Sequence, residues 1–243
     1  MRRKSSDLPE YTVVKHPRAK HVRLKLSLQG KLEIIVPKNY DLRGIPGVIR
    51  DKRPWLDQAE AQLQRQRQDL PADHFAERPV VVRLRAIDER FRVTYKLKRS
   101  DSIELLESGA MLTLSGPVND LGVCVDALQG WLRDKARESM APWLERTSRR
   151  LELPYKRVSI RGQKTRWGSC TAQKVINLNY KLLFLPRRQV YYVLVHELCH
   201  TKCLSHSQRY WSIVESKLPD YMRYEQELRT AWRYVPLWAS PEA

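Results

Sequence analysis

Apolar and polar side chains alternate in the first part of the chain, in short runs between residues 11 and 37. A period of two is typical of strands that bury one face. The pattern predicts strands over residues 11–14, 21–28 and 31–36. The turn residues Gln29 and Gly30 between the last two predict a β-hairpin.

Residues 41–70 follow a helical period instead, because their apolar side chains recur every three or four positions. The predicted buried stripe consists of Trp55, Leu56, Ala59 and Leu63, and the opposite face is rich in Gln and Arg. Alternation then returns and predicts four further strands, over residues 80–86, 91–96, 103–106 and 111–114.

A turn-rich stretch at residues 116–120 precedes a long helical pattern over 123–151. The apolar stripe of this pattern consists of Trp131, Leu132, Ala136, Met140, Trp143 and Leu144. We therefore predict an α+β protein with two domains. The first is a β-rich accessory domain with a helical segment, residues 1–118, and the second is a mainly helical domain with a small sheet, residues 119–243.

The sequence His196-Glu197-Leu198-Cys199-His200 ends an apolar helical run that opens at Pro186. Histidines four positions apart share one helix face, so both imidazoles can reach a single metal ion. Glu197 lies about 100° round the helix, where a general base would hold a metal-bound water. One zinc ion is expected, because neutral imidazoles suit it and a catalytic site takes three protein ligands plus water. This context outweighs the alternative of two ordinary helix histidines.

A third ligand has to come from outside this helix. His206 would face away from the metal if the helix continued, so we expect the helix to end near Leu204 and Ser205 to cap a new one. The open alternative is Glu215, which would give a site of two histidines and one glutamate. His206 is favoured because the other histidines are remote and lack paired spacing: His16, His21 and His74.

Several separate segments resemble, in order and spacing, those of the YgjP-like metallopeptidase family. They are 165–170 (TRWGSC), 176–180 (INLNY), Leu185-Pro186, 196–200 (HELCH), His206 with Tyr210-Trp211, and 219–221 (PDY). The resemblance covers the last hundred residues or so closely. It extends more loosely to segments 22–24, 34–37 and 53–56.

The resemblance implies a small gluzincin-like zinc hydrolase domain in which His196, His200 and His206 bind the metal and Glu197 is the base. It also implies that the segment after Arg166 forms a sheet edge beside the cleft, along which an extended substrate would lie. Four residues of these motifs are candidates for substrate contacts, with packing the favoured role for the second and the last: Arg166, Trp167, Asn179 and Tyr210.

The charge of the chain indicates which classes of partner it binds. It has 45 Lys and Arg against 27 Asp and Glu, which gives a formal charge of +18 and a pI of about 10.0. Such a balance favours nucleic acid, nucleotides or acidic surfaces, although most single cations are expected to be solvated. Seven cations occur around the motifs with Glu152 as their only acidic neighbour: Arg149, Arg150, Lys156, Arg157, Arg161, Lys164 and Arg166.

Three functions are compatible with these features. The first is a zinc metallopeptidase, for which a protein or peptide is the substrate. The second is a metal-dependent nucleotide phosphohydrolase of the nucleoside triphosphate pyrophosphatase type, which would use the same site. The third is a nucleic-acid-associated protein with structural zinc, but a structural site needs four protein ligands and has no use for Glu197.

The four cysteines, at positions 124, 170, 199 and 203, form neither a CxxC pair nor a disulfide framework. We expect reduced thiols. The basic start of the chain lacks a following apolar segment, and no apolar run approaches the ~20 residues that cross a bilayer. A cytoplasmic protein without membrane contact is therefore predicted.

Overall fold

The residues of the chain group into two units, Met1–Pro71 and Ala72–Ala243, because most contacts between residues lie within one unit or the other. The computed structural model describes residues 8–26, 30, 32–68 and 76–240. Five parts of the predictions lie outside these residues: the predicted strand residues Ser27 and Leu28, the predicted turn residue Gln29, the predicted strand residue Lys31, residues 69 and 70 of the predicted helical segment, and His74.

The first unit contains a three-stranded sheet and two helices. The strands are β1 (Tyr11–His16), β2 (Arg23–Leu26) and β3 (Leu32–Pro37), in the order β1-β3-β2. The central strand β3 is antiparallel to β2, which confirms the predicted hairpin pairing, and parallel to β1. Its alternate side chains Leu32, Ile34 and Val36 are buried, as the period of two requires.

The helices of this unit are α1 (Ile45–Asp51) and α2 (Arg53–Gln68). They complete the core through Ile45, Ile49 and Leu56. The predicted helical stripe is wrong at Trp55, whose side chain is 42% exposed. The reason is that Leu56 is the side chain of α2 that enters this core, and Trp55 lies about 100° round the helix from it.

The second unit begins with a four-stranded sheet in the order β4-β5-β7-β6. The strands lie close to the predicted runs: β4 (Val81–Leu84), β5 (Glu89–Leu97), β6 (Glu104–Ser108) and β7 (Met111–Gly116). One face packs on the long helix α3 (Leu121–Leu151), and Phe91 meets Trp131 edge to face at 5.1 Å. Sheet and helix thus share one apolar core with the helices that follow.

Because of this shared core, the boundary between the two units differs from the boundary that the sequence predicts. The predicted boundary at residues 118 and 119 lies inside the second unit, between β7 and α3. The turn-rich sequence there marks a connection between two packed elements. The side of β7 that carries Leu112 and Leu114 needs α3 to cover it.

A second small sheet has the order β8-β10-β9, with β8 (Arg157–Arg161), β9 (Gly168–Cys170) and β10 (Val175–Asn179). The central strand β10 is parallel to β8 and antiparallel to β9, so β9 is an edge strand. The helices that follow are α4 (Arg187–Cys199), α5 (Gln208–Lys217) and α6 (Tyr221–Leu228). The architecture is α+β, as the sequence predicts. Among the described helices, none combines the length and the apolar character that a bilayer crossing requires.

Candidate metal centre

Helix α4 brings two imidazoles to one point. Its apolar residues Val190, Leu194 and Leu198 are fully buried and fix the helix in the core. His196 and His200 are one turn apart, and their Nε2 atoms are 3.2 Å from each other. The i, i+4 spacing therefore places both imidazoles on one face of the helix, as the sequence predicts.

The third imidazole arrives after a sharp turn. His206 lies between α4 and α5, and its Nε2 is 3.1 Å from His196 Nε2. The helix ends at Cys199, five residues earlier than predicted, and Ser207 rather than Ser205 is the residue before α5. After Cys199 the backbone tightens into a turn, in which the Thr201 N–H donates to the Leu198 carbonyl at 3.0 Å and the Lys202 N–H to the Cys199 carbonyl at 3.0 Å.

His196, His200 and His206 form what we call the histidine cluster. Their ligand atoms all lie within 4.8 Å of one another, and this is the group of metal-ligating side chains that the described residues assemble. The alternative ligand Glu215 is exposed on α5 and does not belong to the cluster. Three nitrogen atoms thus converge where the helix and the turn meet.

Burial disfavours the charged form of two of these imidazoles, those of His196 and His200. Burial lowers the pKa of His196 to about 3, and the neighbouring His200 and His206 act in the same direction. Burial also lowers the pKa of His200. His200 Nδ1 is 3.0 Å from the Cys203 carbonyl, to which its N–H donates, and this leaves the Nε2 lone pair free. Neutral imidazoles with converging lone pairs are what a metal ion needs.

Glu197 is held beside the cluster by the edge of the sheet. Its side chain is only 4% exposed, and its Oε2 atom is buried without a hydrogen-bond partner among the described residues. Burial raises the pKa of this carboxyl to about 8, while the positive charge of Arg166 acts in the opposite direction. A buried carboxyl oxygen without a partner is costly unless a water or a substrate completes it.

His196 and His206 of the cluster, together with Glu197, line a cavity of about 420 Å³, here called the metal-site cavity. Its walls are mainly aromatic and aliphatic, with Trp167, Tyr192, Val193, Trp211 and Leu228. Two further polar groups line it, Glu225 of α6 and Arg229, which follows α6. The arrangement can hold a metal ion, a base and an apolar group of a substrate side by side.

Two of the predicted substrate contacts have mixed or structural roles. Trp167 stacks on Trp232 with ring centres 4.0 Å apart and also lines the metal-site cavity. Tyr210 is fully buried, stacks on the His200 ring at 4.4 Å and donates a 3.1 Å hydrogen bond to the His196 carbonyl. Tyr210 thus positions the histidines through their rings and backbone.

The structure corrects the prediction for Asn179. Its side chain is fully buried, and its Nδ2 donates 2.8 Å hydrogen bonds to the carbonyls of Gln163 and Arg166. Its Oδ1 accepts from the Lys181 backbone N–H. The amide therefore fastens the loop that leads to β9 and has no group left for a substrate. Arg166 itself is exposed and lies near enough for its charge to act on Glu197.

Sequence reasoning missed four residues of the cavity wall. Tyr192, Glu225, Leu228 and Arg229 reach it because α6 packs against α4. Tyr192 and Tyr224 stack with ring centres 6.4 Å apart at this contact. The spacing of Glu225 and Arg229, four positions apart, was the one local signal that both lie on the same side of the chain.

Most of the chain matches one known protein family. A family model described as "YgjP-like, metallopeptidase domain" matches residues 20–231. Among solved structures, the metallopeptidase zymogen abylysin of Pyrococcus abyssi is 28% identical, with a TM-score of 0.33, and the similarity covers 36% of this chain and 89% of that chain. A comparison with curated proteins gives no match.

Proposed function

Because the chain belongs to the YgjP-like metallopeptidase family, we propose that it hydrolyses peptide bonds at one zinc ion, with Glu197 as the general base. The histidine cluster would hold the ion. The observation that carries this proposal is the convergence of three imidazoles next to a buried carboxyl oxygen that has no hydrogen-bond partner among the described residues.

The donor set supports zinc. Ligands about 2.0–2.1 Å from a tetrahedral zinc ion lie about 3.3 Å from one another. The nitrogen pairs that involve His196 are 3.2 Å and 3.1 Å apart. Imidazole donors without a carboxylate suit zinc better than magnesium or calcium, which prefer oxygen. A bound zinc ion would supply Lewis acidity, making a water molecule more acidic and polarising the substrate carbonyl.

Glu197 supplies the proton transfers. Its carboxylate would accept a proton from the attacking water and deliver it to the leaving amine. Burial raises the pKa of this carboxyl in the metal-free protein, and the charge of a bound zinc ion would favour the carboxylate that accepts the proton. The backbone of Gly168 in β9 lies against the Glu197 carboxyl and limits the room for it on that side.

The metal-site cavity favours a peptide over a nucleotide. Five of its lining residues are aromatic or aliphatic, and its one arginine, Arg229, is accompanied by Glu225 and Glu197. A triphosphate would meet carboxylates there rather than a group of cations. An apolar peptide side chain fits such walls, and the edge strand β9 offers free backbone groups to an extended peptide. A structural zinc is disfavoured because the described cluster supplies three ligands, not four.

The experiment that tests this function is turnover by the zinc-loaded protein on a mixed peptide pool and, in parallel, on the common nucleoside triphosphates. We expect cleavage of peptides, with large apolar residues enriched next to the cleaved bond. Hydrolysis of nucleotides without peptide cleavage would overturn the proposal in favour of a phosphohydrolase.

A further inference from the structure

A second cavity lies beside the first half of α4, away from the histidine cluster. Its volume is about 580 Å³, and four arginines line it: Arg146, Arg150, Arg187 and Arg188. Two come from neighbouring turns of α3 and two from the first turn of α4. We call it the arginine cavity. No residue of the histidine cluster contributes to it.

The positive charge of the arginine cavity is not balanced by its own walls, since its lining residues include no carboxylate. The acidic side chain whose charge interacts with Arg188 is Glu227. Glu227 already accepts hydrogen bonds from Arg223 at 3.0 Å and from Gln189 at 3.3 Å. All four lining arginines are exposed, so their guanidinium groups can meet a ligand from solution.

Aromatic rings hold two of these guanidinium groups in place. Arg187 lies over the Trp143 ring at 4.6 Å, and Arg150 lies over the Tyr191 ring at 5.0 Å and donates to its hydroxyl. Each guanidinium therefore has one face supported by a ring. Guanidinium groups oriented in this way present their N–H edges to a phosphate and their open face to a base.

A further ring adds a stacking surface. Tyr224 lines the arginine cavity and stacks on Tyr192, which lines the metal-site cavity. The two cavities are thus neighbours separated by a pair of tyrosines. The arginine cavity combines cations for a phosphate backbone with planar groups for exposed bases.

From this combination we propose that the arginine cavity binds single-stranded nucleic acid. Four guanidinium groups on two helices suit a run of several phosphates better than one phosphate. Stacking on rings and guanidinium planes requires unpaired bases, which a duplex does not offer. The formal charge of +18 would draw such a ligand to the protein. This proposal does not rest on the peptidase function.

The test is fluorescence anisotropy with a labelled oligothymidylate of about 12 nucleotides, over a salt series from about 50 to 200 mM. The double variant Arg146→Gln/Arg188→Gln keeps the two ring-supported arginines. We expect it to bind at least about 10-fold more weakly. Its slope of log affinity against log salt should fall by about 1.4, the value for two lost phosphate contacts with a single strand.

The matched control removes the same charge elsewhere. Arg83 and Arg90 are exposed and face each other across β4 and β5. The variant Arg83→Gln/Arg90→Gln should bind within about twofold of the wild type. An equal loss in both double variants would overturn the proposal, because the binding would then follow net charge rather than this cavity.

Two further measurements separate the ligand classes. Tyr224→Leu should weaken binding and leave the salt slope unchanged, since it removes stacking and no charge; thermal unfolding checks that the variant is folded. A duplex of the same length should bind more weakly than the single strand. Equal binding of the duplex, or displacement of the oligonucleotide by micromolar ATP or inorganic phosphate, would contradict a site for single strands.

Discussion

The backbone of Gly168 lies so close to the Glu197 carboxyl that a methyl group at Gly168 would come within 2.6 Å of Glu197 Oε1. The same methyl would lie 2.8 Å from Cγ and 2.9 Å from Cδ, so the whole carboxyl group would have to move. Gly168 opens the edge strand β9 and pairs with Leu178 of β10. The position of the proposed base is thus coupled to the strand that would bind substrate.

Replacing Gly168 by alanine should therefore displace the base without removing the metal. We expect Gly168→Ala to lower kcat at least about 10-fold while the protein keeps its zinc, because the histidine cluster lies on other elements. Peptide cleavage and zinc content, measured on the same sample, test this.

The matched control for this variant is Gly130→Ala in α3. A methyl group there meets nothing within 4 Å. This variant should retain full activity and gain up to about 1 kcal/mol of stability, as glycine to alanine does in a helix. Wild-type activity in Gly168→Ala would mean that the Glu197 position is not set by β9.

The ligand assignment predicts different effects for His206 and Glu215. His206→Ala removes one of three converging nitrogen atoms, so zinc affinity should fall by at least about 100-fold. Glu215→Ala should leave the affinity unchanged, since Glu215 is exposed on α5 outside the cluster. Competition with a chromogenic chelator measures both. A full equivalent of tightly bound zinc in His206→Ala would exclude His206 as the third ligand.

Tyr210 should matter for stability more than for chemistry. Its buried hydroxyl donates to the His196 carbonyl, and Tyr210→Phe leaves that bond unmade. We expect a loss of about 1–2 kcal/mol in the free energy of unfolding and a change in kcat below about threefold. A transition-state contact would instead lower kcat about 100-fold or more. Urea unfolding and peptide kinetics on the same variant distinguish the two roles.

Lys181 should make stability depend on pH in the alkaline range. Its side chain is 1% exposed, and burial, reinforced by Lys164, lowers its pKa from the usual 10.5 to about 8. Below pH 8 the folded protein carries the buried positive charge of Lys181, and the free energy of unfolding is reduced by the full cost of burying that charge. Between pH 8 and 10.5 the unfolded chain still binds the proton that the folded protein has released, so stability rises with pH, by up to about 3 kcal/mol.

The variant Lys181→Met removes this titration. Urea unfolding between pH 7 and 9.5, before the tyrosines of the unfolded chain ionise, should show the wild type gaining stability relative to the variant as the pH rises. A constant difference in the free energy of unfolding between the wild type and Lys181→Met across this pH range would show that Lys181 keeps an ordinary pKa in the folded protein.

The parts of the site that the sequence predicts are those with a local cause. His196 and His200 lie on one face because of helix geometry, and the return of His206 requires only a break in the helix. The predicted Ser205 cap was wrong, since Ser207 is the residue before α5.

The parts that sequence reasoning missed depend on contacts between distant segments. Asn179 belongs to a motif and was assigned to substrate, yet its partners are carbonyls 13 and 16 residues earlier in the chain. The tight contact of Gly168 with Glu197 joins residues of a strand and a helix. The predicted domain boundary at residue 118 has the same origin. Alternation and turn residues do not reveal that β7 and α3 share a core.

The central claim is that Glu197 is the base of a zinc-dependent peptidase, and the most direct test is Glu197→Gln. Its zinc content and its cleavage of the peptide pool are measured beside Glu225→Gln, which changes another carboxyl of the same cavity. We predict that Glu197→Gln binds a full equivalent of zinc and cleaves about 100-fold to 10,000-fold more slowly, while Glu225→Gln changes the rate less than about 10-fold. Peptide cleavage by zinc-loaded Glu197→Gln at the wild-type rate would contradict the account.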